Sequence, residues 1–168
     1  MSEWVGIDGF SNTDLIQAGI EEYPDPLDSS YFYILPWWEI LPAAETPITT
    51  LTVVPGDTVT VTIEQVSGTT WQILLADETT EASFSTDQTY TGPGTSAEWI
   101  VEAPERGGEI STLAAYTTTM FDGLGMTGAQ NVLTESIMVQ DGFQVSTPSA
   151  FTASGFDVAY GGVAPPPP

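Results

Sequence analysis

The reactive side chains of this 168-residue chain are almost all carboxylates. Twenty-three Asp and Glu stand against one base, Arg106, and there is no Lys, His or Cys. Without His there is no imidazole base and no Ser-His-Asp triad. The missing Cys removes thiol nucleophiles, disulfides and thiolate zinc sites. Schiff-base chemistry is excluded with Lys. What remains are carboxylates, carboxamides, hydroxyls, one guanidinium and backbone dipoles. An enzyme built from these is a hydrolase in which a carboxylate activates water. The scattered acids show no EF-hand-like spacing, so they read as solvated surface rather than as an oxygen-ligand metal site, and no cofactor is expected.

The same imbalance sets the partners and the setting. A formal charge of −22 at pH 7 repels nucleic acid. It also opposes compaction near neutrality, an effect that fades in acid as carboxylates take up protons and that salt screens. The chain reads as built for acid, with high salt as the competing explanation, and the acid reading implies an extracellular, secreted life. Folding should be firmer near about pH 4 than near about pH 8 at low salt. No apolar run reaches membrane-spanning length, and there is no basic, apolar leader. The length and a 41% hydrophobic content fit one domain with a true core. We place it at residues 4–160, followed by a Pro-rich disordered tail at 161–168, and expect a monomer.

The elements that position these groups are strands. Residues 49–54 (TTLTVV) lead through the turn signal Pro55-Gly56-Asp57 into 58–63 (TVTVTI), which predicts an antiparallel hairpin or meander. Residues 71–76 and, more weakly, 82–86 follow. Residues 98–102 (EWIVE) alternate, placing Glu98, Ile100 and Glu102 on one face and Trp99 and Val101 on the other. Later candidates are 114–118, 135–140, 142–145 and 155–160. Residues 14–18 (DLIQA) read as a turn or the start of a strand. Helix formers in amphipathic spacing are scarce. Many short strands joined by Gly, Pro, Asp and Ser point to an all-β sandwich or barrel.

Three segments stand out from this Thr-rich background: WVGIDGFSNTDLIQAGIEE at 4–22, YFYILPWWEILPAAETP at 31–47 and SAEWIVE at 96–102. Together they resemble the eqolisins, the glutamic peptidases. That family shows a WVGIDG-like strand, a glutamine in a LIQAG or LQTG element, an aromatic WYEWYP-like stretch and a glutamate in AEWIVE, in that order. VVPGDTVTVTI at 53–63 matches the family's PGD strand pair. The resemblance covers about 4–160, by strand pattern alone after Met126. It implies an antiparallel two-sheet β-sandwich of the concanavalin/lectin-like kind. It also implies an acid-acting endopeptidase whose dyad is Gln17 and Glu98, with a polypeptide substrate and no metal or cofactor. Glu98 would take a proton from a water held between the pair and pass it to the leaving amine. The Gln17 amide would donate to the oxyanion. The acidic medium suits both groups, because a carboxamide does not titrate and a carboxylate still exchanges protons where imidazole is a fixed cation.

The resemblance further makes Trp38, Glu39, Asp8 and Trp4 cleft residues that contact substrate. Asp8 reads equally well as the anchor of a turn beside Gly9, Trp38 equally well as a core aromatic and Glu39 as a carboxylate satisfied by backbone donors, and Trp37 reads as core. Trp99 is expected to pack, Glu102 to be a solvated edge carboxylate and Arg106 to sit in an exposed turn. Family members carry strands upstream of the WVGIDG element, and without them a sheet edge or a core face is expected to be open. Two further readings fit the residues. A non-catalytic β-sandwich could bind peptide or glycan through its aromatics. A glycoside hydrolase could pair Glu98 with Glu39 or Glu102, although a carboxamide at position 17 is neither acid nor nucleophile.

Overall fold

The computed structural model describes residues 1–25, 27–28, 31–128 and 132–168, with Arg106 described by its backbone alone. The expected placement of the Arg106 side chain therefore lies outside the described residues. Among those residues there is no helix, and none long and apolar enough to cross a membrane. The fold is all-β. The chain divides into two compact units, Met1–Ile100 and Val101–Pro168.

The first unit carries β1 (Ser2–Asp8), β2 (Leu15–Pro24), β3 (Phe32–Ile40), β4 (Thr46–Pro47), β5 (Val59–Ser67), β6 (Thr70–Asp77) and β7 (Ala82–Thr89), and β8 (Ala97–Glu102) begins in it. One sheet has the order β4-β3-β2-β1-β8 and a second has the order β5-β6-β7. The WVGIDG strand, β1, lies inside its sheet between β2 and β8.

Register decides what each face of the larger sheet carries. Gln17 lies opposite Gly6 and opposite Glu39, while Gly19 lies opposite Trp4 and Trp37. Directly opposite residues share a face, so Gln17, Glu39, Trp4 and Trp37 project together. The alternate residues Ile7, Ile16, Ala18, Trp38 and Ile40 project the other way. They form the main core with Ile73, Leu75, Val59, Val61, Ile63, Trp71 and Phe84 of β5–β7 and with Tyr90. That buried seam joins the two sheets as a sandwich. The period-2 rows of β1, β2, β5 and β6 thus each serve one core-facing row.

The predicted hairpin of 49–54 with 58–63 does not form. Its turn is real: the Val54 N–H donates to the Asp57 carboxylate at 2.8 Å and the Asp57 N–H to the Val54 carbonyl at 3.1 Å. Yet residues 49–54 make only an isolated bridge, Val53 to Ile34, and β5 pairs instead with β6. The alternation at 49–54 reports burial, since Leu51 and Val53 are 3% and 5% exposed and plug the core as the chain crosses between sheets.

The second unit holds β9 (Glu105–Arg106), β10 (Glu109–Ile110), β11 (Thr119–Asp122), β12 (Met138–Gln140), β13 (Phe143–Pro148) and β14 (Gly155–Tyr160). Strands β9 and β10 form a short hairpin across Gly107 and Gly108. The others form a sheet ordered β11-β14-β13-β12. Phe121 stacks on Phe156 at 5.1 Å between ring centroids, and Phe151 meets the same ring edge-on. Residues 155–160 form the strand expected of them. Residues 114–118 are irregular, with the strand starting at Thr119, and only the last three residues of 135–140 are strand.

Candidate active site

Glu98 sits near the start of β8, and Ile100, two residues on, packs on the cluster of Trp4, Leu15 and Trp37. The alternation of the strand therefore turns Glu98 to the same face as Gln17. Its Oε2 lies 3.6 Å from the position a Cβ would take on Gly9, just past the end of β1. Glu98 is half-buried. Loss of hydration pushes its pKa above the ordinary carboxylate value, and the negative charge of Asp8 adds to this. Two hydrogen bonds pull the other way: the Ser96 hydroxyl donates to Oε1 at 3.1 Å, and the Phe10 backbone N–H donates to the carboxylate.

Gln17 is 6% exposed. Its Nε2 donates to Oε2 of Glu39 at 2.5 Å, while its Oε1 has no partner among the described residues. The glycines around it keep the face flat. A Cβ on Gly6 would stand 2.8 Å from Cζ3 of Trp4 and 3.1 Å from Cδ1 of Leu15. A Cβ on Gly19 would stand 2.0 Å from the Glu3 carbonyl oxygen and 2.6 Å from the Trp4 Cβ. Trp4 can lie along β2 only because both positions lack a side chain.

Asp8 is wholly buried. Its backbone adopts φ +69° and Gly9 follows at +94°, a left-handed turn that Asp tolerates and Gly favours. Five donors converge on the carboxylate. Oδ1 accepts from Thr95 N at 2.8 Å, Thr95 Oγ1 at 3.0 Å and Asn12 Nδ2 at 3.1 Å. Oδ2 accepts from the Tyr90 hydroxyl at 2.7 Å and Gly94 N at 2.8 Å. Burial alone would raise the Asp8 pKa, but these donors outweigh it and bring the value down to about 2. In return the Tyr90 hydroxyl, buried and facing that charge, is pushed well above its usual range. The Asp8 N–H also donates to the Ser96 carbonyl at 3.0 Å. Asp8 thus ties the β1–β2 turn to the segment that carries Ser96 and Glu98.

The structure brings Gln17, Glu98, Glu39 and Trp4 to one face of one sheet, with Asp8 beneath. Trp4 is 6% exposed and serves as floor beside Trp37. Trp38 is a correction. It projects from the opposite face of β3 and packs against the sandwich core. Alternation along a strand cannot place it beside Glu39, and Trp37 takes the site-facing place instead. Asp8 presents no surface to a substrate, so of its two expected roles the geometry fits the turn anchor. Sequence reasoning missed Ser96, Tyr90, Thr95, Asn12 and the Phe10 N–H. Only Ser96 carried a legible signal, since two residues before Glu98 on an alternating strand is the same face. Among the described residues no group of three or more acids gathers as a metal site.

With that geometry in place, comparison with known proteins decides the family. The model of the peptidase A4 family matches residues 1–160. The chain belongs to the peptidase A4 family. Aspergillopepsin-2 of Aspergillus niger is 28% identical over 171 aligned residues, 95% of this chain and 58% of that protein. The chain therefore spans under two thirds of the length of this curated relative. The crystal structure of aspergilloglutamic peptidase from Aspergillus niger superposes with a TM-score of 0.83 at 24% identity, covering 95% of this chain and 97% of that one. Scytalido-glutamic peptidase, solved with a transition state analog inhibitor, superposes with a TM-score of 0.74 at 20% identity, covering 95% and 82%. These structural likenesses establish the fold, and the resemblance of the WVGIDG, LIQAG and AEWIVE elements to the glutamic peptidases is borne out at the level of the family.

Proposed function

We propose that this chain is a glutamic endopeptidase that cleaves polypeptides in acid with Gln17 and Glu98, and that it works as a secreted monomer without metal or cofactor. The catalytic domain on this reading is residues 4–160. One observation carries the proposal: a buried carboxamide and a desolvated carboxylate project from the same face of one sheet, each with hydrogen-bonding capacity left over. Membership of a peptidase family supports the reaction class.

Chemically, Glu98 in its carboxylate form takes one proton from water as the water oxygen attacks the scissile carbonyl. The second Nε2 proton of Gln17 donates to the oxygen that becomes negative. The protonated Glu98 then delivers its proton to the departing nitrogen, so the carboxylate is regenerated and one water is consumed. The raised pKa makes Glu98 a stronger base than a free carboxylate. Asp8 remains ionised at about pH 3, because its own pKa is about 2, so the scaffold beneath the base persists in acid.

The test is digestion of a denatured protein between about pH 3 and 5, where carboxylates titrate, by the parent chain and by Glu98→Ala, with products read by mass spectrometry. Cleavage by the parent alone supports the proposal. Silence from a folded parent would leave a peptide- or glycan-binding sandwich, and reducing sugar released from a glycan would point to the glycosidase reading. A finer expectation follows from Ser96. Its hydroxyl stabilises the charged form of Glu98, so Ser96→Ala should move the acid limb of kcat/KM to higher pH. A limb that stays in place or moves down would remove Ser96 from the tuning of the base.

A further inference from the structure

We propose that Glu39 is a positioning residue that fixes which end of the Gln17 amide faces the reacting carbonyl; this rests on the glutamic-peptidase reading above. A carboxamide has two ends of nearly equal size and opposite hydrogen-bonding sense. Only the nitrogen end can donate to an oxyanion. In a site where Gln17 is 6% exposed, packing does not distinguish the two orientations and bulk water does little to correct a wrong one. Something adjacent must choose.

Glu39 is placed to choose. It lies directly across from Gln17 in the β2–β3 register, and the two side chains meet at 2.5 Å between Nε2 and Oε2. Glu39 Oε2 accepts the Nε2 hydrogen, and an amide turned over would set Oε1 against that acceptor oxygen. Held this way, Gln17 has one N–H spent on Glu39 and one N–H left for the oxyanion. Its Oε1, buried and without a partner among the described residues, is left as an acceptor for a proton of the attacking water. The apparently wasted acceptor is thus a consequence of the orientation that Glu39 enforces. On this account Glu39 acts through Gln17 and does not itself touch substrate, which departs from its expected role as a cleft contact.

The experiment has a kinetic arm and a spectroscopic arm. Glu39→Gln keeps size and shape but can meet Gln17 in either orientation. It should lower kcat about tenfold or more with KM nearly unchanged, in line with loss of an interaction made only in the transition state. In a Gln17→Ala background the same substitution should have no further effect, because a residue that acts only through another does not add to its loss. A rise in KM with kcat kept, or a full effect in the Gln17→Ala background, would overturn the proposal in favour of a direct substrate contact. The second arm needs no activity. In the parent, the two Nε2 protons of Gln17 should give separate side-chain amide signals, one of them slow to exchange. In Glu39→Ala that slow proton should be lost, with chemical shifts elsewhere in the sheet unchanged. An equally protected Gln17 amide in Glu39→Ala would sink the proposal, even if the parent cleaves nothing and the peptidase reading falls by itself.

Discussion

Glu98→Gln should reduce peptide cleavage by about a thousandfold or more while leaving the fold in place. General-base assistance contributes about a hundred- to ten-thousandfold, and a carboxamide cannot accept the proton from water. The replacement is nearly isosteric. Its oxygen can still accept from the Ser96 hydroxyl that now meets the carboxylate. Stability should move the other way. The folded pKa of Glu98 is raised by burial and by Asp8, so its stabilising contribution is complete below the unfolded-state pKa. That contribution is lost as pH rises through the higher folded-state value. Near neutrality the folded chain carries a half-buried charge it would rather shed. Glu98→Gln should therefore melt higher than the parent at about pH 7 and match it at about pH 3, where both forms are neutral. A variant that loses activity and also melts lower at neutral pH would mean that the carboxylate holds the site together, and the base role would need separate proof. Buying reactivity with local instability is a common feature of active sites.

How much of this could be read from the chain depends on whether the deciding interaction is local. Alternation located β5, β6, β8 and β14 closely, because a period of two is a property of the strand itself, whereas the start of β2 read as a turn or the beginning of a strand and β7 only weakly as a strand. It failed at 49–54, where Leu51 and Val53 alternate inward without a ladder partner. Alternation records which side chains are buried; it does not record whether the backbone groups find a neighbouring strand. The same rule, applied strictly, would have separated Trp38 from Glu39 and joined Trp37 to it. Their adjacency within one aromatic motif obscured that. The acids and the amide of the site were legible as residue types within family-like elements, but their support was not. Tyr90, Gly94 and Thr95 reach Asp8 from more than eighty residues away in sequence, and nothing in a Gly-Pro-Gly-Thr loop announces a carboxylate partner. Gly92 is the clearest example. A Cβ there would fall 2.1 Å from the Tyr90 hydroxyl oxygen and 2.7 Å from Asp8 Oδ2, a constraint that exists only once the loop has closed.

Asp8→Asn should cost about 3 kcal/mol of stability at about pH 5, the loss expected when buried donors face a group that no longer accepts from all of them. The amide nitrogen would confront at least one of the Tyr90 hydroxyl, Gly94 N–H, Thr95 N–H and Asn12 amide that now converge on the carboxylate. Asn tolerates the φ of +69° at this position, so the loss would report the hydrogen bonds and not backbone strain, which Asp8→Ala would confound. The pH dependence supplies the sign. The Asp8 pKa falls from 3.8 to about 2 on folding, so its contribution is complete above the unfolded value and is lost as pH drops through about 2. At 1.36 kcal/mol per unit the shift corresponds to about 2 kcal/mol. Acting alone, Asp8 would make the parent most fragile in strong acid. The 23 acids against one base add the opposite slope toward neutrality at low salt, where repulsion among them is greatest. The parent should therefore be most stable between about pH 3 and 5, within the window where Asp8 is charged and many other carboxylates are not. Asp8→Asn should lose the acid side of that dome and keep the neutral side. It should also lower kcat at temperatures where it remains folded, because the Asp8 N–H and carboxylate both fix the segment leading to Glu98. Melting temperatures of the two chains from about pH 2 to 8, at low and high salt, separate the contributions, since salt screens the diffuse repulsion far more than a buried bond. Parallel curves for parent and variant in acid would assign the acid side of the dome to other carboxylates and reduce Asp8 to one anchor among several.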